Sequence, residues 1–296
     1  MKNFVIIGAS GFIAPKHFEA IKKTNNKLVA AYDISETAGK IDSYFKNCKY
    51  FFNFQKFKKY LQSTKKKTKI DYLVICTPNY LHFKYIQFGL KNKLNVICEK
   101  PLVLNHKQLL KIANLEKKYK KDVNCIMQLR LNDKLIKLKN KIHNTIKKNP
   151  NKLFDVKINY ITFRGDWFLK SWKGDTFKSG GLTTNIGIHL FDLLCWFFGK
   201  YENFKVNLSN AKENKGFLYF KNARVEWLIS ISSKYLKNLK KGNYAKRELI
   251  LDNKRIELSD NFNNLHIKSY SEILKRKGFG TSVVSNSISL TEKLRK

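Results

Sequence analysis

A short apolar run, Phe4-Val5-Ile6-Ile7, breaks into Gly8-Ala9-Ser10-Gly11-Phe12-Ile13-Ala14, and the next apolar run, Leu28-Val29-Ala30-Ala31-Tyr32, ends on Asp33. A strand that enters a glycine turn and then a helix brings backbone N–H groups and a helix N-terminus together, an arrangement suited to a pyrophosphate. An acid at the tip of the following strand suits the hydroxyls of an adenine ribose. Asp33 lies 25 residues after Gly8, near the roughly 20-residue interval of the dinucleotide fingerprint. The glycine pattern is Gly-x-x-Gly-x-x-Ala, one residue longer in the turn than Gly-x-Gly-x-x-Gly, with Ala14 still small enough for close helix–strand packing. Such a turn also occurs in ordinary strand–helix connections, and Asp33 is what favours a dinucleotide. A carboxylate there repels a 2′-phosphate and Ile34-Ser35 offer no arginine, so the expected cofactor is NAD.

Strand and helix signals then alternate to about residue 125. Strands are expected at Asn3–Ile7, Lys27–Tyr32, Tyr50–Phe52, Tyr72–Cys76, Asn95–Cys98 and Asn124–Met127, with helices such as Pro15–Lys23, Leu81–Lys91 and Lys107–Lys121 between them. Continuously apolar strands of this kind suit a parallel sheet covered on both faces. After a basic helix, Asp133–Lys148, alternating runs appear at Phe154–Phe163, Gly216–Phe220, Arg224–Ser232, Arg247–Leu251 and Arg255–Leu258, the last two joined by an Asp252-Asn253 turn. Helices are expected at Thr183–Phe198, Leu265–Lys275 and near Val283–Leu294. The expected class is therefore α/β: a Rossmann domain over 1–125, then an α+β domain with a mostly antiparallel sheet over 126–296.

Composition narrows the function classes. The net charge of +37 invites a polyanion partner, yet the lysines are spread along the whole chain and along helix faces, as in 111–121. We read them as solvated surface, with no specific nucleic-acid function, although such a field attracts small anions. Five cysteines, odd in number and without a Cys-x-x-Cys pair, read as free thiols of a reducing cytoplasm and not as metal ligands. No signal peptide or membrane span is expected, because the apolar runs are short.

Chemistry is expected at four places. Lys100, in Cys98-Glu99-Lys100-Pro101, follows the fifth strand, where ligands of such sheets bind, and the X-Pro bond admits a cis form. Thr77-Pro78-Asn79 and His82 end the fourth strand in the same plane. Asn185, His189 and Asp192 share one face of an otherwise apolar helix by their spacing. Between them, the stretch 164–178 supplies Arg164, Lys170, Lys173 and Lys178, interleaved with Trp167, Trp172 and Phe177. Forked guanidinium groups suit carboxylate or phosphate, and aromatic faces suit a sugar or a base.

The Rossmann start, Glu99-Lys100-Pro101 and Gly187-x-His189-x-x-Asp192 together resemble the Gfo/Idh/MocA oxidoreductases over the full chain. The stretches 8–17, 76–82, 97–103, 127–130 and 164–175 are similar to one bacterial branch of that family. Its members oxidise the C3 hydroxyl of UDP-N-acetylglucosaminuronic acid with NAD in surface-polysaccharide (O-antigen and lipopolysaccharide) synthesis. The resemblance implies cofactor contacts from Gly8, Ser10, Gly11, Phe12, Ile13, Asp33, Thr77, Asn79, His82, Glu99, Lys100 and Gln128. It implies catalysis by Lys100 and His189 assisted by Asn185, and substrate contacts from Arg164, Trp172, Lys173, Lys178, Asn185 and His189, without a metal. Many members carry an aspartate where Asn185 stands. Either Lys100 or His189 suits the role of base toward the hydroxyl. A cytoplasmic homotetramer packed through its C-terminal sheets, and recycling of NADH by 2-oxoglutarate, also follow from the resemblance. Another nucleotide sugar, a free sugar or an inositol is the nearest rival substrate; a non-catalytic NAD- or polyanion-binding protein is the rival of a different class.

Overall fold

The computed structural model describes residues 1–37, 39–64, 68–236, 244–258 and 264–295. The chain forms two compact units. The first comprises Met1–Val103, Lys107–Gln128 and Asn264–Val283; the second comprises Leu104–His106, Leu129–Asn263 and Val284–Lys296.

In the first unit, β1 (Asn3–Ile7), β2 (Lys27–Tyr32), β3 (Lys49–Phe51), β4 (Tyr72–Ile75), β5 (Asn95–Cys98) and β6 (Val123–Cys125) form one sheet in the order β3-β2-β1-β4-β5-β6. Every pairing is parallel. The order reverses between β1 and β4, which places a ligand crevice at the carboxyl ends of those strands. Helices α1 (Ala14–Lys23), α2 (Phe54–Thr64), α3 (Asn79–Lys91) and α4 (His106–Tyr119) follow successive strands. β4 is buried along its whole length, as its unbroken apolar sequence requires.

This unit is not a single stretch of sequence. The segment Asn264–Val283 returns to it, carrying α10 (Leu265–Leu274). Tyr270 is fully buried, its ring 5.9 Å from that of Phe4 on β1, and Ile273 joins the same core. A single cut near residue 125 therefore gives way to a first unit that recruits a late helix, because Tyr270 and Ile273 bury their apolar surface against β1 and α1 residues.

The second unit has a mixed, mostly antiparallel sheet in the order β12-β11-β7-β10-β9-β8, in which only the β10–β7 pairing is parallel. Its strands are β7 (Phe154–Thr162), β8 (Tyr201–Ser209), β9 (Glu213–Phe220), β10 (Ala223–Ser230), β11 (Ala245–Leu251) and β12 (Lys254–Glu257). Burial alternates along β7 and β10, so one face supplies Ile158, Val225 and Trp227 to the core and the other presents charges such as Lys157 and Glu226. Asp252 and Asn253 both adopt positive φ, as a tight hairpin between β11 and β12 requires. β8 was not expected from sequence; it is an edge strand with mostly exposed side chains, so its apolar alternation is weak. Helices α5 (Asp133–Lys148), α6 (Trp167–Lys170), α7 (Thr176–Ser179), α8 (Gly181–Asn185), α9 (Ile188–Phe198) and α11 (Thr281–Lys293) complete the described chain.

The helix expected over Thr183–Phe198 is two helices. The axis of Ile188–Phe198 is bent by 50° from that of Thr176–Asn185. At the break, the N–H groups of Ile186 and Gly187 both reach the Leu182 carbonyl. A Cβ on Gly187 would lie 2.4 Å from the Thr183 carbonyl oxygen and 2.5 Å from Ile229, so glycine permits the close approach to β10. Among the described residues, no single helix is long and apolar enough to cross a membrane.

Candidate active site

The glycine turn of the first unit is shaped for a close ligand. Gly8 has φ +91°, and a Cβ there would stand 2.6 Å from the backbone carbon of Cys76. The Gly8 N–H donates to the Tyr32 carbonyl at 2.8 Å, and Gly11 N–H closes the turn onto the Gly8 carbonyl at 3.3 Å. α1 then starts with Pro15 in its first turn and no side-chain cap, so the N–H groups of Phe12 and Ile13 at its entrance make no hydrogen bond to described protein atoms. Phe12 itself is 98 % exposed. Uncapped amides at a helix N-terminus form a site for an anion.

Asp33 does double duty. Its carboxylate accepts from Ser10 N–H at 2.9 Å and from Ser35 N–H at 3.1 Å, clipping the glycine turn to the end of β2. The Ser10 hydroxyl donates to the Thr37 carbonyl, and the Tyr50 hydroxyl donates to the Ser35 carbonyl. A narrow turn, unused amides and a pre-oriented carboxylate fit a pyrophosphate and an adjacent ribose.

On the other side of the crevice, the Thr77 hydroxyl and the Gln128 side-chain oxygen are buried without a hydrogen-bond partner among the described atoms. Asn79 is buried at the first turn of α3. His82 was expected to touch the cofactor, but it is fully buried. Its Nδ1 lies 2.8 Å from the Pro101 carbonyl and its Nε2 2.9 Å from the Thr77 carbonyl. Burial pushes its pKa down, and a neutral ring donates to one of those carbonyls at a time. His82 thus links the Thr77 turn to the Lys100–Pro101 turn, whose peptide bond is cis, and acts through them.

Glu99 likewise lies behind the crevice. It is held by His17 of α1 and by His266 of α10, while its second oxygen accepts from Lys100 N–H at 3.2 Å. Sequence reasoning passed over His17, although it ends the first family-like stretch, and over His266 and Tyr270, which lie far along the chain without a local motif.

The second unit gathers cations. Arg164 is half-buried and donates to the Phe163 carbonyl at 3.1 Å. Burial, together with nearby Arg247, lowers its pKa. Arg247, on β11, donates from Nε and a terminal nitrogen to the Thr162 hydroxyl at 3.3 and 3.2 Å, and lies 5.1 Å over the Tyr160 ring. The other neighbour of Tyr160 is the His189 ring, stacked at 6.5 Å. Lys173 lies 4.6 Å over Trp167 and 5.8 Å from Trp172, with its pKa lowered by burial and by Arg164. Of the residues expected to bind substrate, Arg164 and Lys173 interact within one cluster, which also contains the unforeseen Arg247 and Tyr160 and reaches His189. Lys178 is instead tied to Asp175 at 3.3 Å on an exposed turn.

Asp192 leaves the site altogether. It is buried and takes a bidentate pair from Arg130, at 2.7 and 2.9 Å, plus the Ser287 hydroxyl at 3.1 Å. The break before α9 puts Asn185 and His189 on different helices, so the shared face expected from spacing does not exist. Asn185 is buried and His189 half-buried.

The pattern of the oxidoreductase family's NAD-binding Rossmann fold matches residues 2–126, and that of its C-terminal alpha/beta domain matches residues 151–250. The chain belongs to the Gfo/Idh/MocA oxidoreductase family. The WlbA (WbpB) dehydrogenase of Thermus thermophilus, solved with NAD and UDP-GlcNAcA, is 35% identical over 100% of this chain and 95% of its own, with a TM-score of 0.94. The same enzyme solved with NAD and alpha-ketoglutarate superposes with a TM-score of 0.95. The WlbA dehydrogenase of Bordetella pertussis shares the fold, with a TM-score of 0.79 at 16% identity. An uncharacterised oxidoreductase of Escherichia coli, YgjR, is 34% identical over 106 residues, which span 36% of this chain and 30% of that protein. As a Gfo/Idh/MocA oxidoreductase, the chain carries its NAD-binding fold in the first unit.

Proposed function

We propose that this protein oxidises the C3 hydroxyl of UDP-N-acetylglucosaminuronic acid to a ketone with NAD, and that 2-oxoglutarate regenerates the oxidised cofactor. The observation that carries the reading is the full-length likeness to a Thermus enzyme solved with those ligands. The cation cluster of Arg164, Arg247 and Lys173 supports it, because partly buried like charges are costly unless an anion joins them. Both the uronate sugar and 2-oxoglutarate bring carboxylates.

When bound, NAD supplies the hydride acceptor. Gly8, Ser10, Gly11, Phe12 and Ile13 hold its pyrophosphate, Asp33 its ribose, and Thr77, Asn79 and Gln128 its reacting half. Glu99 and His82 position the Lys100 turn. One of Lys100 and His189 takes the hydroxyl proton while the other keeps the hydroxyl in line, with Asn185 assisting. Arg164, Trp172, Lys173 and Lys178 bind the charged and planar parts of the substrate. The reading extends to a cytoplasmic homotetramer acting in O-antigen or related surface-polysaccharide synthesis, with cofactor chemistry in the first unit and substrate binding and assembly in the second.

Absorbance at the reduced-nicotinamide band tests it. Purified protein with NAD and UDP-N-acetylglucosaminuronic acid should show reduction, UDP-N-acetylglucosamine should not, and 2-oxoglutarate should reverse the signal. Equal turnover of both sugars, or of an inositol alone, would refute the carboxylate requirement.

A further inference from the structure

The first unit buries a carboxylate among hydrogen-bond donors. Glu99, 7 % exposed, accepts through Oε1 from His17 Nε2 at 3.0 Å and from His266 Nε2 at 3.3 Å, and through Oε2 from Lys100 N–H. Since a carboxylate only accepts, His17 must donate from Nε2. Its Nδ1 then carries no hydrogen and accepts a hydrogen bond from the Tyr270 hydroxyl at 2.8 Å. His17 and Tyr270 are fully buried. Donors come from α1, from α10 and from the backbone of the next residue, so the site is built from three directions.

We infer that His17 and His266 are positioning residues that hold Glu99 as a fixed anion behind the Lys100 turn, where its charge favours the cationic, oxidised nicotinamide over the neutral, reduced one. The topology supports the placement. The dinucleotide crosses the carboxyl ends of the sheet at the β1–β4 reversal, and Asp33 on β2 marks the adenosine side. The reacting half then falls toward β4 and β5, and Glu99 directly follows β5.

Several of the groups packed around it carry no charge of their own. Cys76, Cys98 and Tyr270 are pushed up by burial, and His17 and His82 are pushed down, so each stays neutral near pH 7. The imidazole donors hold the Glu99 carboxyl well below its usual range, against the opposing effect of burial. A hydrogen-bonded carboxylate stabilised in this way remains charged when the cofactor changes charge beside it.

Equilibrium binding of NAD⁺ and of NADH to the full chain, without sugar, tests the inference by calorimetry. Glu99→Gln is expected to reduce the preference for NAD⁺ over NADH about tenfold, the scale of one charge acting across about 12 Å at an effective dielectric near 20. A purely structural role would weaken both ligands alike, and an unchanged ratio would overturn the inference. Should Glu99→Gln fail to fold, His266→Leu keeps the carboxylate but removes one donor. Losing one donor raises the depressed carboxyl pKa, so its NAD⁺ preference should fall more steeply with falling pH than that of the unaltered protein; identical profiles would overturn the inference too. A stoichiometric divalent metal in the purified protein would make the two imidazoles and the carboxylate ligands and have the same consequence. Because no sugar is present, the outcome is independent of the sugar assay.

Discussion

The two units handle charge in opposite ways. The first surrounds one buried carboxylate, Glu99, with two imidazoles and a backbone N–H, so that its charge is solvated by the protein. The second packs Arg247 over the Tyr160 ring and Lys173 over those of Trp167 and Trp172, with Arg164 close to both cations. An enclosed anion with its hydrogen bonds satisfied is a finished internal device. Cations gathered where burial and a neighbouring cation lower the pKa of Arg164 and Lys173 are an unfinished one, completed by an anionic ligand. The second unit also has a finished pair, Arg130–Asp192, which serves as an internal control.

That control gives the largest expected effect. Removing one partner of a buried ion pair leaves the other uncompensated, at about 3–5 kcal/mol. Arg130→Ala should therefore lower the melting temperature far more than Arg247→Leu or Lys173→Met. Comparable losses in all three would erase the distinction between finished and unfinished charge in this unit. Next in size, Lys100→Ala and His189→Ala should each slow turnover about 10²-fold or more, within the usual range for acid–base groups, with the melting temperature little changed. Near-normal turnover in either variant removes that residue from proton transfer.

A smaller effect sharpens the substrate side of the comparison. Arg247→Leu should raise KM for the uronate sugar about tenfold, as expected for one charge-assisted hydrogen bond, and leave NAD binding as it was. A KM that rises equally for a neutral sugar would mean that Arg247 only shapes the sheet. Arg247 also shows where sequence reading reached its limit. It was visible as part of a strand, but nothing local tied it to Arg164, because the register of β11 against β7 brings Lys246 opposite Ile161 and Arg247 opposite Tyr160. The glycine turn, Asp33 and Lys100 were legible because their geometry is set within a few residues. The Asn185–His189–Asp192 face was misread for the opposite reason. Its spacing assumes an unbroken helix, and the close approach of Gly187 to Ile229 breaks it. Glu99 was named from its motif, but its partners His17, His266 and Tyr270 needed the return of α10 to the first unit, which no local pattern announces.

A last predicted effect concerns pH and belongs to the first unit. His17 and His82 are both fully buried, and burial lowers both pKa values. In the unfolded chain a histidine takes up its proton near pH 6.5. As pH falls through that value, the unfolded state binds protons that the folded state refuses, so stability is full above it and is lost below. The slope is at most about 1.4 kcal/mol per pH unit for each histidine. Glu99, held below its usual range, adds a loss of the same sign only at lower pH, once an unfolded carboxyl would protonate. Melting temperatures should therefore hold steady from about pH 8 to 7 and fall between about 6.5 and 5. His82→Gln keeps an amide donor for one of the two carbonyls but cannot titrate, so its curve should be shallower over that interval by one proton's worth. A wild-type curve flat to pH 5 would mean that the buried imidazoles accept protons in place. The neutral surroundings assigned to Glu99 would then fail, and with them the contrast between the two units.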